Sequence, residues 1–575
     1  MLKIYRNLKP YLFFILGILV LQFLQAMANL YLPTLMADIT NYGILKEDVP
    51  YIWRTGGRML LVAAGGVVCA VLASFFGSRT AIGLGRSLRS QLFRRVEGFS
   101  LHEFDRFGAS TLITRTTNDI IQIQTVTILI FNMMVSAPIT AVAGTLLAYR
   151  EDHGLTLILA VALPVIAGVV ALLGSQAIPL FKLVQLKIDR VNLVLREKLT
   201  GIRVVRAFNR VEHERKRFDE ASRDLTDTYI KVNRIIAFMT PVMMVIMNLV
   251  TLSILWFGAM RINSGSTNIG NLIAFMQYAM QILISLLMFT AMFIMIPRAQ
   301  AAANRINEVL ETHPEIEDPT APQHADAEKG YVEFRDVTFR YQGAEEPAVR
   351  GISFSAKPGE TTAIIGGTGS GKSTVVNLIP RFYDVDAGQV LVDGVDVREM
   401  TQEELRAKIG FVPQKAILFT GTVADNLRYG KDDATDEEIR HAAEVAQAAD
   451  FIDGMSESYD TMLSEGGLNL SGGQKQRLSI ARALVRRPEV YVFDDSFSAL
   501  DFKTDARLRA ALKKETADAT MILVAQRVGT VMDADRIIVL DEGGVAGIGT
   551  HKELMRSCEV YREIVSSQLS EEELA

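Results

Sequence analysis

At 575 residues the chain is longer than one hydrophobic core organises, so at least two domains are expected. Its formal net charge of −5 is small for that length and gives no reason to expect a nucleic-acid partner. Two cysteines, Cys69 in an apolar stretch and Cys558 far downstream, supply neither a disulfide framework nor a metal-ligand set.

Composition then divides the chain. Six uncharged stretches, Tyr11–Ala37, Met59–Ser78, Ile120–Tyr149, Gly154–Phe181, Ile235–Met260 and Ile262–Pro297, are each long enough for the roughly 20 helical residues that cross a bilayer. Lys3, Arg6 and Lys9 precede an apolar run ending in Ala26-Met27-Ala28, as in a secretory leader. The apolar run continues past that point and five more spans follow, so it is expected to be kept as the first span. Arg79–Asp119 carries seven arginines, and Lys182–Arg234 is also basic, whereas Arg150 and Arg261 stand nearly alone on the opposite side. The basic loops, and with them the N-terminus and the C-terminal half, are therefore expected on the cytoplasmic side of the cell membrane. Both loops have helix-forming composition with few breakers, so the spans should run on into the cytosol, about 30 Å for every twenty residues.

Two local signatures lie at the far ends of these loops: Phe104-Asp105-Arg106-Phe107-Gly108 leading into Leu112–Asp119, and Glu197–Phe208 around Gly201. Residues 314–330, rich in Pro, Glu, Asp and Ala, read as a linker. The reading is a membrane domain over 1–313 and a soluble α/β domain over 331–575. Tyr331–Phe339 alternates polar and apolar residues as an antiparallel strand does. Thr361–Ile365 reads as a strand feeding the loop Gly366-Gly367-Thr368-Gly369-Ser370-Gly371-Lys372-Ser373-Thr374, after which Val375–Ile379 continues as helix. This is the setting a phosphate loop requires: glycines turn backbone N–H groups toward phosphate, Lys372 adds a point charge, and Ser373 can place its hydroxyl on Mg2+.

Further motifs follow in order: Val412-Pro413-Gln414, Glu465-Gly466-Gly467, Leu470-Ser471-Gly472-Gly473-Gln474, the acidic strand Val490–Phe493 ending in Asp494 and Asp495, Ser498-Ala499-Leu500-Asp501, and Met521–Arg527 with Gln526. This order resembles that of ATP-binding-cassette exporters, over Tyr11 to about Gln568. The resemblance implies six extended membrane helices followed by an α/β P-loop cassette with a helical subdomain, and the cofactors ATP and Mg2+. It implies that Tyr341 stacks on adenine, and that Ser373, Gln414 and Asp494 hold magnesium. Ser471, Gly472, Gly473 and Gln474 would face the ATP bound by a partner chain, and Asp501 would let the two sites sense each other. The two loop signatures resemble the transverse helices by which such exporters couple membrane and cassette, the intracellular helices of each chain contacting the opposite cassette.

Three positions depart from the family pattern. Gly466 stands where exporters usually have arginine. Asp495 replaces the glutamate that polarises the attacking water, and Gln526 replaces a histidine that contacts the γ-phosphate. One lost methylene draws the carboxylate back by an ångström or so, which can cost on the order of 100-fold in rate. An absent transition-state donor costs about 3–4 kcal/mol. The pattern is similar to the catalytically impaired half of bacterial heterodimeric multidrug exporters, and it implies a partner half-transporter with an intact site. The competing readings are a lipid or peptide exporter of the same architecture, and a nucleotide-gated channel or regulatory receptor. Gln277, Gln281 and Ser285 fall at i, i+4 and i+8 and are expected to share a helix face lining the substrate path. The many methionines nearby, Met239 to Met247 and Met276 to Met295, suit a pocket for apolar shapes or simple packing.

Overall fold

The computed structural model describes residues 1–324 and 329–568, so part of the linker, residues 325–328, lies outside the described residues. The chain forms two compact units: Met1–Glu97 with Ser110–Thr312, and Gly98–Ala109 with the residues from His313 onward.

The first unit is built from six long helical segments. They run over Lys3–Ile44, Val49–Glu97, Ala109–Glu151, His153–Thr200, Val211–Asn263 and Ile269–Glu311. At 1.5 Å per residue the 49-residue Val49–Glu97 helix is about 70 Å long, more than twice a hydrocarbon core. The spans therefore do extend well beyond the bilayer. Leu60, Leu61, Val67 and Val71 stay exposed, as side chains facing lipid do. The interior is a cluster around Leu30, Leu155, Ile166, Phe275, Tyr278 and Ile282, in which the Tyr278 and Thr34 hydroxyls share a 2.6 Å hydrogen bond.

Local chemistry sets the turns. Asp152 caps the fourth helix by accepting from the Gly154 and Leu155 amides at 2.8 and 3.0 Å, and Arg261 Nε donates to its other oxygen at 2.7 Å. The apolar run beginning at Ile262 is not one helix: the chain turns at Ser264–Asn268, with Gly265 at φ +71, and the sixth helix starts at Ile269. Deeper in the same unit, Arg305 forms a two-pronged ion pair with the buried Asp119, and Arg115 donates to the Arg305 carbonyl at 2.8 Å and pairs with Glu308.

In the second unit Val332–Phe339 lies antiparallel to both Val349–Ala356 and Ala387–Val392. A six-stranded sheet has the order Gly544–Gly549, Arg536–Asp541, Thr361–Gly366, Thr520–Val524, Val490–Asp494, Ile409–Val412, parallel except at its first edge pairing. Val490–Asp494 and Thr520–Val524 are buried at every residue, as parallel strands covered on both faces must be, which explains why all but the terminal Asp494 and Thr520 are apolar. A helical subdomain packs Val423, Leu427, Ile439, Ala443 and Leu478 into one cluster with the sheet residues Tyr491 and Phe493.

The short helix Leu101–Phe107 belongs to this unit. Ser100 and Glu103 form its capping box, and the second Glu103 oxygen accepts from the Glu315 amide at 3.0 Å. His102 Nδ1 meets Glu315 Oε2 at 2.5 Å, and its Nε2 meets Gln342 Oε1. The carboxylate bond, opposed by partial burial, holds the His102 pKa above its usual value. The other transverse helix, Ile202–Ala207, lies in the first unit, buries none of its residues and leaves Val204 and Phe208 exposed.

Candidate nucleotide site

Thr361–Gly366 occupies the sheet between Arg536–Asp541 and Thr520–Val524, and its C-terminal end delivers the phosphate loop to the helix Lys372–Leu378. Gly371 is obligatory there. It sits at φ +94, and a Cβ would lie 2.6 Å from Val349 Cγ1 and 2.7 Å from the Ala348 carbonyl. Lys372 Nζ donates to the Gly366 and Gly367 carbonyls at 2.9 and 2.6 Å, which folds the loop around its own cation. Burial lowers the Lys372 pKa, against the opposing pull of Asp495 and Asp494. Ser370 Oγ is buried without a hydrogen-bond partner, an orphan that an anion seated in the loop would satisfy. The loop thus fits a polyphosphate.

The end of Val490–Asp494 lies beside it. Ser373 Oγ donates to Asp494 Oδ1 at 2.9 Å, placing a hydroxyl and a carboxylate together as the hard oxygen donors that magnesium takes. Burial raises the Asp494 pKa, the Ser373 bond opposes it, and the neighbouring Asp495 charge adds to it. Asp495 is buried too, with its pKa raised by burial against the Gln414 hydrogen bond and the Lys372 charge. Its backbone has φ +48, a left-handed conformation that aspartate tolerates better than most residues.

Two sequence-distant residues meet at this carboxylate. Gln414 Nε2 and Gln526 Nε2 both donate to Asp495 Oδ2, at 3.2 and 3.1 Å. Gln414 thus spends its amide N–H on Asp495 and keeps its oxygen as the possible metal ligand. Arg527, beside Gln526, reaches the other way and donates to the carbonyls of Ser498 at 3.1 Å and Leu500 at 3.5 Å. Asp501 caps the helix Phe502–Glu515 by accepting from the Thr504 amide and hydroxyl at 3.0 and 2.7 Å.

Beside Thr374 of the phosphate loop, the Tyr341 hydroxyl meets Oγ1 at 3.1 Å and the Tyr341 ring packs edge-on against Phe339 and Tyr383, leaving it 37% exposed. It lines a cavity of about 810 Å³ together with Arg340, Gln342, Tyr383, His102 and Asp105, large enough for a nucleoside.

Ser471 caps the 15-residue helix Gly472–Arg486 in a reciprocal box with Gln474: the Gln474 amide donates to Ser471 Oγ at 3.3 Å and Gln474 Oε1 accepts from the Ser471 amide at 2.9 Å. Ser471 and Gly472 are exposed, so the partial positive charge of this helix start is open to solvent. Gly466 lies at φ +63 and its carbonyl accepts from Lys475 Nζ at 2.9 Å, a conformation that suits glycine and would strain arginine.

The three membrane-unit residues do not form a uniform polar face. Gln277 is exposed and Gln281 donates a long 3.4 Å bond to the Asn29 carbonyl, but Ser285 is buried with its hydroxyl bonded to the Ile282 carbonyl at 2.8 Å. A serine whose proton is used within its own helix has lost its donor for a ligand. Sequence reasoning also missed Gln568, whose side chain bonds the backbone on both sides of Arg527. The pairing is long-range and leaves no local signal.

Residues 14–287 match the model of the ABC transporter transmembrane region, and residues 349–498 match the ABC transporter model. An uncharacterised ABC transporter ATP-binding protein of Mycobacterium tuberculosis is 44% identical over 567 residues, 98% of this chain and 97% of that protein. An ATP-dependent lipid A-core flippase of Chromobacterium violaceum is 31% identical over 577 residues, 99% of this chain and 98% of that one. Among solved structures, a bacterial Atm1-family ABC exporter with ATP bound superimposes with a TM-score of 0.81 at 27% identity, covering 97% of this chain and 98% of that one.

Proposed function

This chain belongs to the ABC exporter family, as a half-transporter with a membrane unit followed by an ATPase cassette, and from that we propose that it is the hydrolysis-impaired half of a heterodimeric exporter of hydrophobic or amphipathic compounds. It is a multi-pass membrane protein with a cytoplasmic nucleotide-binding domain, and its cassette is an ATPase coupled to transport. Along the sequence this reading takes 1–313 as the membrane domain, 314–330 as the linker and 331–575 as the cassette, with Gly98–Ala109 as an excursion that packs in the cassette's compact unit.

The observation that carries the reading is the group around Asp495: a carboxylate one methylene short, with two glutamine amides on one of its oxygens and no imidazole at position 526. In this reading Tyr341 offers its face to adenine, the phosphate loop and Lys372 hold the phosphates, and Ser373, Asp494 and Gln414 hold the metal. Magnesium there would neutralise phosphate charge. Asp495 orients water weakly because its reach is short, and Gln526 donates a hydrogen bond without positive charge. ATP therefore stays bound at this site and keeps the cassettes together. Ser471, Gly472, Gly473 and Gln474 complete the partner's competent site, and Asp501 links the two. Binding closes the cassettes and favours an outward-open membrane unit, and hydrolysis in the partner's site resets it. The solvent-exposed Val204 and Phe208 on the transverse helix supply apolar surface for the opposite chain.

The flippase relative supports a second substrate reading, a lipid rather than a drug, with the same ATPase assignment. The test is to purify the full chain alone and with its co-expressed partner. The chain alone should bind Mg-ATP and turn it over slowly, and the pair should show substrate-stimulated hydrolysis. Brisk turnover by the chain alone, with contaminants excluded, refutes the impaired-half assignment.

A further inference from the structure

We propose that Gln568 is a positioning residue for the ATPase reaction, clasping the switch peptide from the C-terminal side and fixing where the Gln526 side chain points. The proposal rests on reading Asp495 and Gln526 as the reacting-site pair.

The switch segment runs from the end of the strand Thr520–Val524 to the short helix Val528–Val531. Helix starts leave backbone N–H groups without intrahelical partners, and a side chain of the residue before the helix normally takes one. Here that residue is Arg527, which cannot make such a bond because a guanidinium carries donors and no acceptor; it donates instead to the Ser498 and Leu500 carbonyls. Gln568 supplies the missing cap from 40 residues away: the Val528 amide donates to Gln568 Oε1 at 2.8 Å. The same side chain donates through Nε2 to the Gln526 carbonyl, also at 2.8 Å. One amide thus brackets Arg527, fixing the peptide groups on both sides of it.

The bracket has a rigid base. The helix Glu559–Ser566, just before Gln568, buries Tyr561 and Val565 completely in a cluster with Ala525, Val528 and the sheet residues Ile365 and Val539. The Tyr561 hydroxyl is tied to His551 Nδ1 at 2.8 Å. On the other side of the bracket Gln526 extends its own amide to Asp495 Oδ2 at 3.1 Å. The line of force therefore runs from a packed helix, through the Gln568 amide and the Gln526 backbone, to the carboxylate beside the phosphate loop. Position 568 needs both a donor and an acceptor on one planar group. Glutamate at neutral pH would set a carboxylate oxygen against the Gln526 carbonyl, whereas protonated glutamate presents the same donor and acceptor pair as glutamine.

The test uses the full-length chain in lipid nanodiscs, paired with a partner whose own ATP site is inactivated so that turnover reports on this chain's site. Hydrogen exchange of the Val528 amide is read first, since it needs no catalysis. Gln568→Ala should speed that exchange about fivefold or more, the loss of one hydrogen bond, while exchange in the buried strand Val490–Asp494 stays unchanged. ATP turnover is then measured in the Asp495→Glu, Gln526→His background. Gln568→Ala should lower kcat about tenfold with KM for Mg-ATP within about twofold, because the phosphate loop is untouched and only reactive geometry loosens. Gln568→Glu should match Gln568→Ala at pH 8 and recover toward the glutamine form, at equal pH, as acidity approaches about pH 5, just above the ordinary glutamate pKa of about 4.3. Unchanged Val528 exchange, a change in KM alone, or a flat pH ratio for Gln568→Glu overturns the clasp. Brisk turnover by the unaltered chain overturns the impaired-site reading instead, and the exchange and kinetic results still decide the role of Gln568.

Discussion

Restoring Asp495 to glutamate and Gln526 to histidine in the same chain should convert a slow ATP site into a working one. The Asp495 carboxylate is held by Gln414 and Gln526 at 3.2 and 3.1 Å, so its position is set by those amides and by the length of its own side chain. A methylene extends the reach by about 1.5 Å, the length of one carbon–carbon bond. A displacement of about 1 Å in reacting groups is worth on the order of 100-fold, and a missing transition-state donor about 100-fold to 1,000-fold. Groups that act as a unit do not multiply fully, so the double reversion should gain on the order of 1,000-fold, and each single reversion about tenfold or less. The backbone exacts a small cost. Asp495 sits at φ +48, where glutamate is less at ease than aspartate, so Asp495→Glu should lower stability by about 1 kcal/mol while raising turnover. The assay is Mg-ATP hydrolysis by the full-length chain paired in nanodiscs with a partner whose own ATP site is inactivated, with Lys372→Ala in this chain as the blank and thermal unfolding followed in parallel. If the native chain already turns over several ATP per second, or if the double reversion folds, binds ATP and stays inert, the geometric argument is refuted.

In the co-expressed transporter, Gly473→Asp in this chain should depress hydrolysis far more than Asp495→Asn, because in the proposed heterodimer Gly472 and Gly473 would open the helix start to the partner's nucleotide and a carboxylate there would repel phosphate; equal loss from both would move the principal catalysis to this chain's own site. Burial raises the Asp494 and Asp495 pKa values above the usual 3.8, so protons compete with magnesium from a higher pH than at a free aspartate. For stability the native state binds protons more readily than the unfolded chain, so this pair destabilises the apo cassette as pH rises from 3.8 through the raised pKa values and by a constant amount above them. Mg-ATP relieves that penalty, and its gain in Tm should shrink as pH falls into that window; a gain independent of pH would contradict the assignment of Asp494 to the metal. Gln281→Ala should alter the rank order of transported cations, neutral dyes and lipids with basal ATPase unchanged, whereas Ser285→Ala should leave the profile alone, since its hydroxyl is already bonded to Ile282. Equal profiles for Gln281→Ala and the native chain would assign Gln281 to helix packing.

What the sequence alone made legible is what contiguous chemistry specifies. The phosphate loop could be placed because strand, glycines, Lys372 and helix follow one another without interruption, and each hydrogen bond that shapes it, such as Lys372 to Gly366 and Gly367, closes within a few residues. The Ser471–Gln474 cap is likewise a three-residue affair, and the membrane spans announce themselves because lipid requires an apolar run of fixed length. The limits of that kind of reading appear where hydrophobicity does not change but the backbone does: the run from Ile262 looks continuous, yet Ser264–Asn268 turns it. Helical spacing placed Ser285 with Gln277 and Gln281, but only packing decided that it is buried with its proton already used.

The tertiary structure alone decided the rest. Gln414, Asp495 and Gln526 come from loops at the ends of three parallel strands, 81 and 31 residues apart, and only the strand order brings their side chains to one oxygen. Which unit receives Gly98–Ala109 follows from the Glu103 and His102 bonds to Glu315 and Gln342, more than 200 residues away. The Gln568 clasp belongs to the same class. Residue type fixes what a side chain can donate or accept, and only the fold of distant segments onto one another fixes what it meets.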